Sequence, residues 1–274
     1  MIVQRTLPGE MPIVIRNADH AVAAADFAQH FGNDRFAPAE PRGLARWVAL
    51  HHDAGWIPID EKPLRNPETG IPYHLADTPM PLLLSKSVAS PDFNEAYHPW
   101  CGLLASMHTW GLFNNRYGLS DKVSIRTRPP EYENEIQGVL DRELARQRRL
   151  TDRLRESSHT AAWVVPAALM ASYKRLEFFD TLALHFQHLG SGLRESALFP
   201  HVPAGPGEGD VTVAVEMIGD STATVTPYPF DKSPLTVRCR VQAISACETD
   251  EGLQRELDAR RWRIQEYTVT GEEG

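Results

Sequence analysis

Apolar positions in the first 200 residues recur at helical spacing and predict a series of amphipathic helices. In the stretch 17–31, His20, Ala24, Phe27 and Phe31 fall on one face, with Asn17 placed to cap its start and Gly32 to end it. The same reasoning predicts further helices at 41–52, 92–112, 131–157, 161–188 and 249–259.

Residues 56–91 interrupt this periodicity, because they carry seven prolines and Gly70. Apolar side chains such as Trp56 and Tyr73 favour a long ordered loop over a disordered one. We expect residues 70–74 of this loop to lie over the polar site that the helices form, with Tyr73 or His74 reaching into it.

After Gly190 the apolar positions alternate with period two, which is typical of half-buried strands. A Pro/Gly-rich connector at 202–210 precedes these strands, which we predict at 211–217, 222–226, 236–244 and 263–269. The sequence therefore predicts a mainly α protein, a helical bundle with a small C-terminal antiparallel β region (α+β overall). We divide it into a helical domain at 1–200 and a β-rich subdomain at 201–274 packed on it.

Composition restricts the class of partner. Hydrophobic residues make up 42% and charged residues 23%, as in an ordinary globular protein, and the net charge of −8 argues against nucleic-acid binding. Neither a signal peptide nor a membrane-spanning stretch is evident, and Cys101, Cys239 and Cys247 fit no disulfide or zinc spacing. We expect a cytoplasmic protein with a small-molecule substrate, without nucleic-acid or membrane partners, and leave homo-oligomerisation open.

Ligand-capable side chains interrupt the predicted apolar faces of four helices. They are His20, the pair His52-Asp53, His108 and Asp180. A buried carboxylate must pair, bind a metal or become neutral. Nitrogen and oxygen ligands without thiolates favour one or two divalent ions, of Fe, Mn, Zn, Co or Mg. We therefore predict a buried metal site built from these five residues.

Each of these residues also has an ordinary structural interpretation, since single inward histidines are more often hydrogen-bonded core residues than ligands. The combination of all five is what favours a metal. His74 and His98 are further candidates for a second ion, with structural or solvent-exposed roles as the alternative.

The order of His, His-Asp and a late Asp resembles the HD-domain superfamily of metal-dependent phosphohydrolases. More specifically, the chain resembles the family called domain of unknown function 3891. The segments that carry this resemblance are 18–21 (ADHA), 50–56 (LHHDAGW), 70–73 (GIPY), 104–108 (LASMH), 179–184 (FDTLAL) and 227–230 (PYPF). The resemblance to the superfamily implies an HD-like helical fold and a metal role for His20, His52, Asp53 and Asp180, and extends to His108 at a second metal.

The resemblance points to a metal-dependent phosphohydrolase acting on a small phosphorylated or nucleotide-like substrate. In it, Asp53 bridges two ions and His108 binds the second or acts as general acid. Lys62, Arg65 and Lys86 are candidates to neutralise the phosphate, with a role as surface charges as the alternative.

Two other functions remain open from the sequence. Some HD-domain proteins with a similar ligand order use two irons to cleave a C–C or C–P bond, so a di-iron oxygenase is the first alternative. A non-catalytic protein that binds a metal or ligand is the second.

Overall fold

The protein is described from a computed structural model that covers residues 1–120, 122, 124–125, 127–205 and 209–271. Its helices are α1 (Asn17–His30), α2 (Arg42–His51), α3 (Ile57–Glu61), α4 (Met80–Tyr97), α5 (Pro99–Phe113), α6 (Asn115–Gly118), α7 (Glu133–Arg155), α8 (Pro166–Gln187) and α9 (Asp250–Ala259). Its strands are β1 (Ile2–Gln4), β2 (Ile13–Ile15), β3 (Ala197–Pro203), β4 (Asp210–Met217), β5 (Thr222–Thr226), β6 (Leu235–Ala243) and β7 (Arg263–Thr270).

Helix α1 lies at the centre of the fold and packs against α2, α8 and β6. Its alanines are buried on several sides of the helix, which lets the neighbouring backbones approach closely. Phe27 stacks on Phe230 with ring centroids 5.4 Å apart, and Phe31 meets Phe179 of α8 at 5.3 Å. This packing holds α1 between the sheet and α8.

The sheet has the strand order β1-β2-β6-β7-β5-β4-β3. Its neighbouring strands are antiparallel except for β5 and β7, which are parallel. Strand β2 pairs with β6 through Ile13 opposite Ala243, so the two ends of the chain meet in one sheet. Among the described residues, every helix is too short or too polar to cross a membrane.

The predicted fold class, a mainly α HD-like bundle with a small C-terminal antiparallel β region, is wrong. The chain is 51% helical with 18% strand, and its sheet is a curled, mixed, seven-stranded half-barrel, which makes it an α+β fold. The sequence understates the sheet because β1 has only three residues, too few to show a period. In β3, the register shifts between Phe199 and Val202, which breaks the alternation.

The domain boundary predicted at 200/201 stays a prediction. Strands from both sides of it pair in one sheet, and β3 spans it. The connector predicted at 202–210 lies partly outside the described residues, at 206–208, and its first residues belong to β3. The last three residues of the predicted β subdomain, 272–274, also lie outside them.

Two predictions about residues 56–112 are also wrong. The expected loop contains α3 and the first two thirds of α4, and the expected helix at 92–112 is two helices that meet at His98-Pro99. Pro79 and Pro81 flank the start of α4, where a proline removes no helical hydrogen bond. Pro79 and Pro81 therefore lie at the start of a helix, although the number of prolines in 56–91 predicted a loop. The helices predicted at 17–31, 41–52, 131–157 and 249–259 are confirmed, and α8 confirms the greater part of 161–188.

Candidate metal centre

His20 lies on the buried face of α1 and reaches α8 at two points. Its Nδ1 atom is 2.6 Å from Oε1 of Gln187, and its Nε2 atom is 3.1 Å from Oδ1 of Asp180. The amide oxygen of Gln187 accepts the Nδ1 proton. The contact with Gln187 orients the ring so that Nε2 is the nitrogen presented to the carboxylate of Asp180.

His52 follows α2 directly and is fully buried. Its Nδ1–H donates to the carbonyl oxygen of Ala49 at 2.8 Å. Its Nε2 atom lies 3.6 Å from Oδ2 of Asp53 and 3.6 Å from Oδ1 of Asp180, and has no hydrogen-bond partner among the described residues. An unsatisfied buried nitrogen costs about 1–3 kcal/mol, and a cation between it and the carboxylates would relieve that cost.

The segment after Asp53 is held against α4 by a glycine. A Cβ atom at Gly55 would lie 2.4 Å from the carbonyl oxygen of Lys86, and Gly55 N–H donates to Oγ of Ser90 at 2.9 Å. Only glycine permits this approach. It brings Nζ of Lys86 to 3.7 Å from Oδ1 of Asp53 and to 5.5 Å above the Trp56 ring.

Glu177, Asp180 and Gln187 share one buried face of α8, since their spacings of three and seven residues are near whole helical turns. Oε1 of Glu177 accepts the Nδ1–H of His108 from α5 at 2.8 Å. His108 is 2% exposed, and Nε2 is its remaining nitrogen. In all three imidazoles Nδ1 is therefore bound to a protein oxygen. Nε2 lies against Asp180 in His20 and His52, and in His108 it is the nitrogen that is not bound to Glu177.

Arg116 binds two of the α8 carboxylates at once. Its guanidinium forms an ion pair with Glu177, and its Nη2 atom lies 3.1 Å from Oδ2 of Asp180. The residue is 2% exposed and sits in a left-handed turn with φ of 50°, between Asn115 at 46° and Tyr117 at 60°. Such dihedrals cost about 1–3 kcal/mol each outside glycine, so the surrounding packing must hold this turn in place.

The carboxylates are ionised despite their burial. Burial alone would raise the pKa of Asp180, but the hydrogen bond from His20 and the charge of Arg116 hold that pKa well below its ordinary value. Burial likewise acts to raise the pKa of Asp53, but the charges of Lys86, His52 and His108 together outweigh it, so the pKa is lowered. Both groups are therefore acceptors or ligands at neutral pH.

The pKa values of His52 and His108 are shifted in opposite directions. Burial acts to lower the pKa of His52, but the charges of Asp53 and Asp180 outweigh it and raise the pKa. Burial and the neighbouring charge of His52 put the pKa of His108 well below its ordinary value. In the metal-free protein His52 therefore takes up a proton more readily than His108.

Three overlapping sets of these residues have ligand atoms within 4.8 Å of one another. They are His20/His52/Asp180, His52/Asp53/His108 and His108/Glu177/Asp180. Two ligands bound to one ion at about 2.0–2.2 Å lie roughly 3.0–3.5 Å apart. The separations of 3.1 and 3.6 Å from Asp180 Oδ1 to the Nε2 atoms of His20 and His52 are close to that range. The residues therefore fit a divalent ion.

A cavity of about 530 Å³ opens beside this cluster. Asp53, Lys86, His108, Arg116 and Asp180 form one part of its wall. Its volume lies within the range of about 300–1,000 Å³ found for small-molecule sites. The cluster is therefore placed where a small substrate can reach it.

The structure brings together all five residues predicted as ligands: His20, His52, Asp53, His108 and Asp180. Their role as ligands, and the catalytic roles predicted for Asp53 and His108, stay predictions.

Of the cations predicted to meet a phosphate, Lys86 lines the cavity. Lys62 is exposed, and Arg65 lies 3.7 Å from Asp250.

His74, His98 and Gly70 make other contacts than those predicted from the sequence. Nδ1 of His74 accepts from the backbone of Ala76, and Nδ1 of His98 accepts from the first turn of α5, so both cap helical turns. The backbone of Gly70, expected over the site, bonds to Cys247 instead. Residues 75–80 line the cavity in its place.

Sequence reasoning missed Glu177 and Arg116. Glu177 carried a usable signal, because it lies one turn before Asp180 on the same face. Arg116 carried none, since its approach depends on the left-handed turn that follows α5.

The chain shows a family likeness across most of its length. The sequence profile of the family described as Protein of unknown function (DUF3891) matches residues 1–246. Neither a curated protein nor a solved structure matches the chain. On this evidence, the protein belongs to the DUF3891 family.

Proposed function

We propose that the protein is a metal-dependent phosphohydrolase whose divalent ion is held by His20, His52, Asp53 and Asp180. The observation that carries this proposal is the shared orientation of the imidazoles. In His20 and His52, a protein oxygen binds Nδ1 and Nε2 faces the carboxylate of Asp180. Metal-binding histidines usually have such a second contact, because it fixes the tautomer and ring orientation.

The charges in the site also support a cation. Asp53, Glu177 and Asp180 contribute −3 and Lys86 and Arg116 contribute +2, which leaves −1 when the imidazoles are neutral. A buried net charge is expensive in a low-dielectric interior. A divalent ion offsets it and leaves +1, which favours an anionic substrate.

The roles of the residues around a phosphate follow from their positions. A bound divalent ion would supply Lewis-acid polarisation and activation of water. Lys86, beside Asp53 on the cavity wall, neutralises charge on the phosphate. Glu177 fixes the ring of His108, and the Nε2 atom of that ring, unprotonated because burial lowers the pKa of His108, can accept a proton from water. The HD-superfamily resemblance in the order His20, His52-Asp53, Asp180 supports the same reaction class.

A two-ion site is the second arrangement to consider, because Asp53 belongs to a set with His52 and His108. Two irons there would support the di-iron oxygenase that the sequence left open. Metal content separates the two enzymes: two irons per chain with oxygen consumption indicate the oxygenase.

A metal-free ion-pair network is the non-catalytic alternative, favoured by the contacts of Arg116 with Glu177 and Asp180. It leaves Nε2 of His52 without a hydrogen bond, which counts against it. Under this alternative, elemental analysis finds no bound ion.

The decisive experiment is elemental analysis of protein purified without added metal, followed by hydrolysis of p-nitrophenyl phosphate with and without chelator. We expect stoichiometric divalent metal and chelator-sensitive hydrolysis, both lost in His52→Ala and Asp180→Asn. The matched control is His159→Ala, which removes an exposed imidazole away from the site. Metal content unchanged in His52→Ala would refute the proposal.

A further inference from the structure

The cavity beside the metal centre has two chemically different parts. Its charged groups belong mainly to one connected cluster, in which Lys86 lies 3.7 Å from Asp53 and Arg116 lies 3.1 Å from Asp180. Much of the remaining wall is apolar and comes from α4, α5 and α8, from the turn before α3 and from the segment after α6: Trp56, Met80, Leu83, Leu112, Ile125 and Leu184. A ligand that reaches the charged cluster therefore places its remaining atoms against hydrocarbon.

We infer that the substrate is an amphipathic phosphate ester, with a single phosphate group at the Lys86 end and an alkyl or aryl body along the apolar wall. This inference rests on the proposed function and names its substrate class. Burial of hydrocarbon against such a wall supplies binding energy in proportion to the area removed from water. The cavity of about 530 Å³ has room for a body well beyond the phosphate itself.

The hydroxyl side chains along the apolar part, which among the described residues are Thr78, Ser124 and Thr127, are too few to recognise a polyhydroxylated body. The hydroxyl of Thr78 donates to the carbonyl oxygen of His74 at 3.1 Å. The Oγ atom of Ser124 is buried without a hydrogen-bond partner among the described residues, so it offers a single contact. A sugar phosphate would bury several hydroxyls without partners, and each would cost binding energy.

A second anionic group is also disfavoured. Asp77 is exposed and lines the cavity, and among the described lining residues it is the charged side chain outside the metal cluster. Its negative charge repels a further phosphate. This separates the inferred substrate from nucleoside di- and triphosphates.

The test is a homologous series of n-alkyl phosphonates from ethyl to octyl, titrated into the metal-loaded protein by calorimetry. Phosphonates are not hydrolysed at the C–P bond by a phosphohydrolase, so binding is measured apart from turnover. Each added methylene should tighten binding about fourfold until the cavity is filled. A propyl phosphonate bearing two hydroxyls should bind more weakly than propyl phosphonate.

Equal affinity across the series would overturn the inference, as would tighter binding of adenosine 5′-diphosphate than of the octyl compound. If the protein holds metal and hydrolyses p-nitrophenyl phosphate, equal affinities across the series refute the inferred substrate class and leave the proposed function standing. Absence of both metal and hydrolysis refutes the proposed function. The affinities across the alkyl series then test only whether the cavity binds an amphipathic phosphonate.

A cavity-filling variant adds a structural control. Leu83→Trp places a large side chain inside the cavity and should remove the chain-length dependence while the metal content stays unchanged. Leu7→Trp makes the same substitution at a residue that is 41% exposed and should keep the dependence. If Leu83→Trp fails to fold, the series on the unchanged protein still decides the question.

Discussion

Nε2 of His52 lies 3.6 Å from Oδ1 of Asp180, and the nitrogen has no hydrogen-bond partner among the described residues. The Nδ1–H of the same ring is bound to Ala49, so a neutral His52 directs a lone pair at an ionised carboxylate. That arrangement is unfavourable unless a proton or a metal ion lies between the two groups. The raised pKa of His52 describes the first case, and the proposed divalent ion describes the second.

Arg116 should stabilise the metal-free protein much more than the metal-loaded one. In Arg116→Ala, Glu177 and Asp180 lose a shared buried partner, so we expect the free energy of unfolding without metal to fall by about 3–5 kcal/mol. A bound ion replaces part of the lost charge and should reduce that loss. Urea unfolding with and without metal measures both values.

The control for this variant is Arg142→Ala. Arg142 pairs with Asp92 at the surface, where both side chains are nearly half exposed, so its loss should cost no more than about 1 kcal/mol. Equal losses in the two variants would contradict the role given to Arg116.

Gln187 should control metal affinity without being a ligand. Gln187→Leu removes the oxygen that accepts the Nδ1 proton of His20, so the ring is no longer held in place. We expect the Kd for the ion to rise about 10- to 100-fold. Titration with a competing chelator measures it, with Gln137→Leu on the exposed face of α7 as the control. An unchanged Kd would show that His20 does not bind the ion.

Gly55 should be required for packing rather than for flexibility. In Gly55→Ala the new Cβ meets the carbonyl oxygen of Lys86 at 2.4 Å, so α4 must shift away from Asp53. We expect a loss of about 1–3 kcal/mol in unfolding free energy together with weaker substrate binding. Gly138→Ala on α7, where a Cβ meets nothing within 4 Å, should gain up to about 1 kcal/mol. A neutral Gly55→Ala would argue against this packing.

Acid should destabilise the protein through histidines near the site. Burial, with the charge of Lys122 adding to it, lowers the pKa of His185 to about 4, and burial lowers the pKa of His188 to about 4. A histidine with a depressed folded pKa contributes stability above its unfolded pKa of about 6.5. That contribution is lost as the pH falls from about 6.5 towards 4.

The measurement is the free energy of unfolding between pH 7.5 and pH 4.5. His185→Gln should reduce its slope by up to about 1.4 kcal/mol per pH unit, because the group that must stay neutral is gone. His159→Gln, at an exposed position, should leave the slope unchanged. Identical slopes in both variants would show that His185 titrates normally.

Local patterns predicted the helices that carry His20, the His52-Asp53 pair and Asp180, because their apolar faces repeat with the helical period. The same patterns failed for α4, since they took prolines at a helix start for loop breakers. For the sheet, they predicted β4 to β7 but missed β1, β3 and the strand order. Strand β1 has three residues, the register of β3 shifts, and paired residues such as Ile13 and Ala243 are more than two hundred residues apart.

The sequence by itself indicated five of the ligand-capable groups that point inward, because the spacing of polar residues on an apolar helix face predicts their burial. It did not determine their partners. The contacts of Arg116 with Glu177 and Asp180, of Gln187 with His20, and of Lys86 with Asp53 were decided by the tertiary structure. They arise where α1, α4, α8 and the turn after α5 converge, and no short-range period records how separate elements meet.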